Sequence, residues 1–355
     1  MTKKKNLSNK KIDTEKNFLI SFSSGSTAKP KPIVFSQKTK LIRFKLMKNL
    51  YKINHTDKVI LACPIDHSLG MRILFLPILT GGTIVVMNKF TAKRFVNLVK
   101  KHSITFSVLV ANQIYELTKS KSIFKNFYLK KGLVSASAKL PEITKNKIIS
   151  KNINLYEMYG AAEIGTVASI HINKNIKNFK SVGKVYNNKI QIKILSNKNK
   201  FLKKYQIGEI VCKTSGIFKK YLNLNELTKK AFFKKYFKTG DIGYLNDKGY
   251  LYFLSRKKNI IRRNGITIYP EDIENTLLRD KNIKELAVIG HEKKIKTEIY
   301  LFVKKDIHIT ENYIQSICLK KLSTFHLPNQ IILLENLPKS SLGKINKRQL
   351  LKYLN

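Results

Sequence analysis

The chain has 355 residues, 43% of them hydrophobic, which is enough to build cores for two or three domains and excludes a disordered chain. Its 69 Lys and Arg against 22 Asp and Glu leave a formal charge of +47. That charge attracts polyanions, but the lysines are spread along the chain beside Asn and Ile, with no Trp and no aromatic-basic motif, so the balance reads as solvated surface and disfavours a nucleic-acid partner.

Residues 1–16 form a basic tail without the apolar core of a signal peptide. A strand over 18–22 runs into the loop "FSSGSTAKPKP", residues 22–32. The next segment places Leu41, Phe44, Met47 and Tyr51 on one helical face. "KVILACP" and "TIVVM" are short apolar runs rich in β-branched residues, hence buried strands. Residues 71–87, which end in "TIVVM", are too short for a membrane span and are broken by Pro77, Gly81 and Gly82, so they read as helix, turn and buried strand. A helix follows with Phe95, Leu98, Val99 and His102, then strands in "ITFSVLV" and "GLVSAS". This alternation predicts an α/β sheet with helices on its faces. From about 180 to 258 the pattern changes to alternating strands and turns, a small β-rich region that includes "KIQIKIL" and "GEIVCK". The rest reads as a compact α+β domain whose first helix, "EDIENTLL", opens with acidic residues that suit the helix dipole. Cys63, Cys212 and Cys318 lie far apart with no CxxC pair, which argues against zinc and redox motifs and suits a reducing cytoplasm.

The loop carries the first chemistry. It lacks the G-x-x-x-x-G-K-[ST] pattern of a Walker loop. Its hydroxyls (Ser23, Ser24, Ser26 and Thr27), the backbone at Gly25, and the cations Lys29 and Lys31 are nevertheless suited to cradling phosphate oxygens. Three further stretches follow in order: "YEMYGAAEIG", "FKTGDIGYLNDKGYLYFLSRKKNIIRRNGITIYPEDIE" and "LPKSSLGKINKR". Together with the loop they resemble the adenylate-forming superfamily of acyl-CoA synthetases, luciferases and peptide-synthetase adenylation domains. The resemblance runs from about residue 18 to the C-terminus.

The resemblance implies a role for each matching residue. The loop matches the family's T-S-G-T-T-G-x-P-K-G, with Ala28 and Pro32 replacing its two later glycines. Tyr159 would stack on adenine, and Glu163 would hold Mg²⁺ between the phosphates, with Ala162 where the family has threonine. Asp241 would accept both ribose hydroxyls, and Arg256 would reach ribose or phosphate. Asn259 takes the hinge position, where the family usually has Asp, and Gly265 the glycine that pantetheine passes. Lys344, in the Pro338…Gly343-Lys344 frame, would be the catalytic lysine. "CPIDHSLG" fits the acyl-CoA synthetase pattern P-x-x-H-x-x-G through His67, and also the peptide-synthetase pattern F-D-x-S through Asp66; the acyl register fits its spacing to Gly81 better. Ala136 and Lys139 replace the Gly and Pro of the family's adenine loop.

The implied architecture is a large α/β sheet domain over 17–258, shortened at its N-terminal side, and a small mobile α+β domain over 259–355. The implied reaction is ATP- and Mg²⁺-dependent activation of a carboxylic acid as acyl-adenylate, followed by transfer to a thiol: CoA, or the phosphopantetheine of a carrier protein. A non-catalytic nucleotide-binding protein is the alternative of another class. Only residues 1–21 precede the loop, where family members carry a long leading segment. The expectation is therefore an uncovered apolar face, closed by a companion polypeptide or by self-association.

Overall fold

The computed structural model describes residues 13–22, 30–119, 121–125, 127–293, 296–340 and 343–354. The first strands, β1 (Asn17–Phe22) and β2 (Pro32–Ser36), pair antiparallel and lead into α1 (Gln37–Tyr51). Ser36 caps that helix, its Oγ accepting from the Thr39 amide at 3.2 Å. Strands and helices then alternate through β3 (Lys58–Leu61), α2 (Ser68–Thr80), β4 (Thr83–Val86), α3 (Ala92–Lys101) and β5 (Phe106–Val110). The run continues with α4 (Ala111–Lys119), α5 (Lys121–Lys125), β6 (Gly132–Ala136), α6 (Glu142–Ile149), β7 (Leu155–Ala161) and β8 (Gly165–His171).

These strands form one six-stranded sheet in the order β4-β3-β5-β6-β7-β8, parallel except for the β7–β8 pair. Both faces are covered, which is why β5 and β6 are apolar or small and buried throughout. Successive side chains alternate between two cores. Val59, Leu61, Val108 and Val110 join Met47, Tyr51, Ile73 and Leu76 of α1 and α2. Ile60 and Leu109 face Phe95, Val99 and Ile114 of α3 and α4.

Two sequence expectations are corrected here. The stretch 83–87 is not a fully buried strand: β4 stands at the sheet's edge with a single neighbour, and Val86 is 55% exposed. The inner face of α1 carries Thr39, Arg43, Met47 and Tyr51, while Leu41 and Phe44 are only half-buried. Phe44 still packs against the core of Met47 and Tyr51, but the first part of that face is polar because Thr39 and Arg43 donate to backbone carbonyls.

The β-rich region comprises β9 (Ile190–Leu195), β10 (Gly208–Thr214), β11 (Lys220–Tyr221), α7 (Asn225–Lys230), β12 (Phe232–Phe233), β13 (Tyr236–Leu245) and β14 (Leu251–Arg256). β11 extends the β1–β2 sheet, and the other five strands form an antiparallel sheet. A 3₁₀ turn at Lys257–Asn259 leads to β15 (Ile261–Arg263), β16 (Ile266–Ile268) and α8 (Pro270–Leu277). Next come β17 (Leu286–Lys293), β18 (Lys296–Lys304), α9 (Glu311–Lys321), β19 (Gln330–Leu334) and α10 (Lys347–Leu350). β17-β18-β19 is a separate sheet with its own core of Ile273, Leu277, Val288, Leu301, Ile314 and Cys318. All three cysteines are free and buried, and no helix among the described residues is long and apolar enough to cross a membrane.

Candidate active site

A cleft of about 1620 Å³ opens where the ends of β7 and β13, the 3₁₀ turn and the segment before α10 meet. Pockets for one drug-sized ligand run to about 1,000 Å³, so this one has room for two reactants.

Asp241 lies on β13 directly opposite Arg256 on β14. Its backbone amide donates to Thr239 Oγ1 at 3.1 Å, and that hydroxyl donates to the Ile210 carbonyl at 2.7 Å. Gly240, at φ +71°, makes the local turn that glycine allows. The carboxylate is buried and its two oxygens differ. Oδ2 accepts a 2.6 Å hydrogen bond from the Tyr159 phenol. Oδ1 lies 2.8 Å from Arg256 Nε, an ion-pair distance, yet has no hydrogen-bond donor. Burial raises the Asp241 pKa, opposed by Arg256 and by the Tyr159 bond. The orphaned acceptor fits a ribose hydroxyl, the donor it lacks.

Glu163 sits in the turn between β7 and β8. Arg43, buried on α1, ties that turn down with three donors: Nε to the Gly216 carbonyl at 2.6 Å, Nη1 to that of Ala162 at 2.8 Å and Nη2 to that of Glu163 at 2.6 Å. The carboxylate Oε1 accepts from the Tyr221 phenol at 2.8 Å. Burial, then Glu163, raises the Tyr221 pKa, so Tyr221 stays a donor. Among the described residues no cluster of three or more His, Cys, Asp or Glu could hold a metal alone. A single hard carboxylate on the cleft wall is the kind of protein ligand that Mg²⁺ takes when other oxygens complete its shell.

Lys344 enters the cleft from the far side. Its turn is closed by the Ser340 amide on the Lys344 carbonyl and the Gly343 amide on the Ser340 carbonyl, both at 2.8 Å. Gly343 has φ +70°, and a Cβ there would come within 3.2 Å of the Asn112 side chain at the start of α4. Ion pairs hold the segment: Lys339 with Glu285 at 2.7 Å, and Lys347 with Glu274 at 2.7 Å and Glu271 at 4.0 Å, both on α8. Lys344 lines the cleft as an exposed residue, and burial of its charged end, then Arg256, lowers its pKa while Asp241 opposes them.

The other expected residues divide. Lys31, His67, Lys139 and Asn259 line the cleft; Asp66 is exposed and does not. Gly265 lies outside it, at φ +77° beside Asn264 at +49° in the two-residue turn of the β15–β16 hairpin. Ser23, Ser24, Gly25, Ser26 and Thr27, with Ala28 and Lys29, lie outside the described residues. Sequence reasoning missed Arg43, Tyr221, Thr239 and the Tyr159–Asp241 bond. The one available signal was a basic residue at the i+4 spacing of the inner face of α1.

The profile of the AMP-binding enzyme family matches residues 2–222, and that of the AMP-binding enzyme C-terminal domain matches 272–344. The chain is 24% identical over 340 residues to the long-chain-fatty-acid–CoA ligase FadD13 of Mycobacterium tuberculosis, covering 93% of this chain and 66% of the relative. It is 25% identical over 342 residues to the 2-succinylbenzoate–CoA ligase of Bacillus subtilis, covering 93% and 68%. The chain thus spans about two thirds of the length of the curated relatives it matches. Its fold superposes on ATP-bound MatB from Rhodopseudomonas palustris with a TM-score of 0.87 at 23% identity, covering 96% of this chain and 68% of that one. With a profile match over more than half its length and both matched regions contributing to one cleft, the chain belongs to the AMP-binding enzyme family.

Proposed function

We propose that this protein activates a carboxylic acid with ATP and passes the acyl group to a thiol. The observation that carries the reading is the convergence of Asp241, Glu163 and Lys344 on one cleft. In this reading Asp241 and Arg256 hold the ribose, and the Tyr159 ring stacks on adenine. The loop at 23–31 cradles the phosphates. Glu163 holds Mg²⁺, which neutralises charge on the phosphates when bound. The acid's carboxylate attacks the α-phosphate in line with the leaving pyrophosphate, and Lys344 offsets the charge that builds between them. The intermediate is an acyl-adenylate. A thiol then attacks its carbonyl and AMP leaves. For that step the small domain turns about Asn259, withdrawing Lys344 and bringing the Gly265 hairpin to the cleft. Solvent contact at Asn259 and the position of Gly265 outside the cleft support this motion. CoA is the thiol that the curated relatives' names favour over a carrier protein.

Companion or self-association is a second part of the proposal. Phe18, Ile20 and Phe22 alternate along β1 and are exposed by 48%, 46% and 57%. Phe18 stands 6.2 Å from Phe75 of α2, and Ile78 and Leu79 of the same helix are also exposed. Such a contiguous apolar face supports a covering polypeptide.

Mass spectrometry tests the reading. The protein incubated with Mg·ATP, CoA and a panel of fatty, aryl and amino acids yields an acyl-AMP and then an acyl-CoA for a cognate acid. Tight ATP binding with neither product would favour the non-catalytic alternative.

A further inference from the structure

The wall of the cleft formed by α2 carries two donors without acceptors. Ser68 and Arg72 are four residues apart, so they share one face of the helix, and both line the cleft. Ser68 Oγ is buried and has no hydrogen-bond partner. Arg72 Nη1 donates to Thr166 Oγ1 at 2.9 Å, but its Nε is buried without a partner. Among the described residues no acidic side chain forms an ion pair with Arg72. Its titratable neighbours Tyr186, Tyr51 and Cys63 have pKa values raised by burial, so they stay neutral and supply no counter-charge. Its cationic neighbours make the imbalance worse. Arg43 spends its donors on three carbonyls, and Lys40 feels both arginines.

A half-buried arginine whose buried Nε has no acceptor, and which has no counter-charge among the described residues, is costly to keep. An acid with a plain hydrocarbon tail would leave it so. A carboxylate would fill the site, because the guanidinium fork matches its two oxygens and the Ser68 hydroxyl can donate a third bond. The wall around the pair, with Leu69 and Met158, is apolar and would pack the connecting carbons.

We propose that the cognate acid is a dicarboxylate whose second carboxylate binds Ser68 and Arg72 while the first one reacts. This rests on the ligase reading given above, and the experiment separates the two. Calorimetry compares linear dicarboxylates from malonate to adipate with monocarboxylates of matching length, in the presence of a non-hydrolysable ATP analogue. The full chain is used as wild type, Arg72→Met, Arg72→Lys and Ser68→Ala, each accepted only with cooperative thermal unfolding. One dicarboxylate length binds best, and it weakens about ten-fold or more in Arg72→Met, with partial recovery in Arg72→Lys and a smaller loss in Ser68→Ala. Ser68→Ala carries the test if Arg72→Met does not fold. Equal binding of mono- and dicarboxylates, or losses in the variants that are equal for both series, overturns the proposal; in the second case the guanidinium binds the reacting carboxylate. Selective dicarboxylate binding without acyl-AMP formation would retain the site and discard the ligase reading.

Discussion

The Tyr159 phenol donates a 2.6 Å hydrogen bond to Oδ2 of Asp241, joining β7 to β13 across 82 residues of chain. The bond fixes the carboxylate and leaves Oδ1 facing Arg256 with no donor of its own. It also favours the ionised form against the burial that raises the Asp241 pKa. In the proposed reading Asp241 holds the ribose as an ionised carboxylate, so the expected outcome is loss of ATP binding as pH falls through this pKa. Tyr159→Phe removes a stabiliser of the charged form and moves that acidic limb to higher pH. Asp241→Ala weakens ATP binding about ten-fold or more. Calorimetry across pH checks both, and an unshifted limb in Tyr159→Phe would separate the bond from the carboxylate's ionisation.

Among the described residues the Glu163 carboxylate is held by Tyr221 and forms no ion pair. Glu163→Gln lowers acyl-AMP formation by about 10²-fold and raises the Mg²⁺ concentration needed for half-maximal rate. Tyr221→Phe keeps the negative charge and loses only its orientation, so its loss is smaller. A Mg²⁺ titration of the adenylation rate reads both, and an unchanged titration in Glu163→Gln removes it from the metal site.

Lys40 lies over the Phe35 ring at 4.1 Å. Burial, then Arg43 and Arg72, bring its pKa from 10.5 to about 7. Between those values the unfolded chain holds a proton that the folded chain does not, so this group makes stability rise with pH from about 7 upward. The stability of Lys40→Met minus that of wild type therefore falls between pH 7 and pH 10, read by denaturant unfolding. A pH-independent difference would mean that Lys40 titrates normally.

Much of the fold was legible because parallel strands buried on both faces need long apolar runs, and β3, β5 and β6 have them. For the candidate site, the resemblance of three separated stretches pointed to Glu163, Asp241 and Lys344, with Pro338 and Gly343 framing that lysine, and all three line one cleft. Contacts between distant segments were not legible. Arg43 reaches the Gly216 carbonyl 173 residues away, and the buried Lys145–Glu157 pair lies beneath the cleft with nothing in its local sequence to announce it. Edge position was also hidden: β4 looks like a central strand by composition and lies outermost by topology.

The exposed β1 face makes a separate claim. Light scattering at micromolar concentration shows association of the chain alone, reduced in Phe18→Lys with Ile20→Lys, two side chains outside the cleft. A folded monomer with full adenylation activity would show that no partner is needed.

ATP–pyrophosphate exchange, measured for wild type and Lys344→Ala, reads the adenylation step itself. The wild type shows acid-dependent exchange and Lys344→Ala loses it by at least about 10²-fold, while thioester formation from supplied acyl-AMP is nearly spared. Absence of acid-dependent exchange, or an equal loss in both half-reactions, would contradict the proposed reaction.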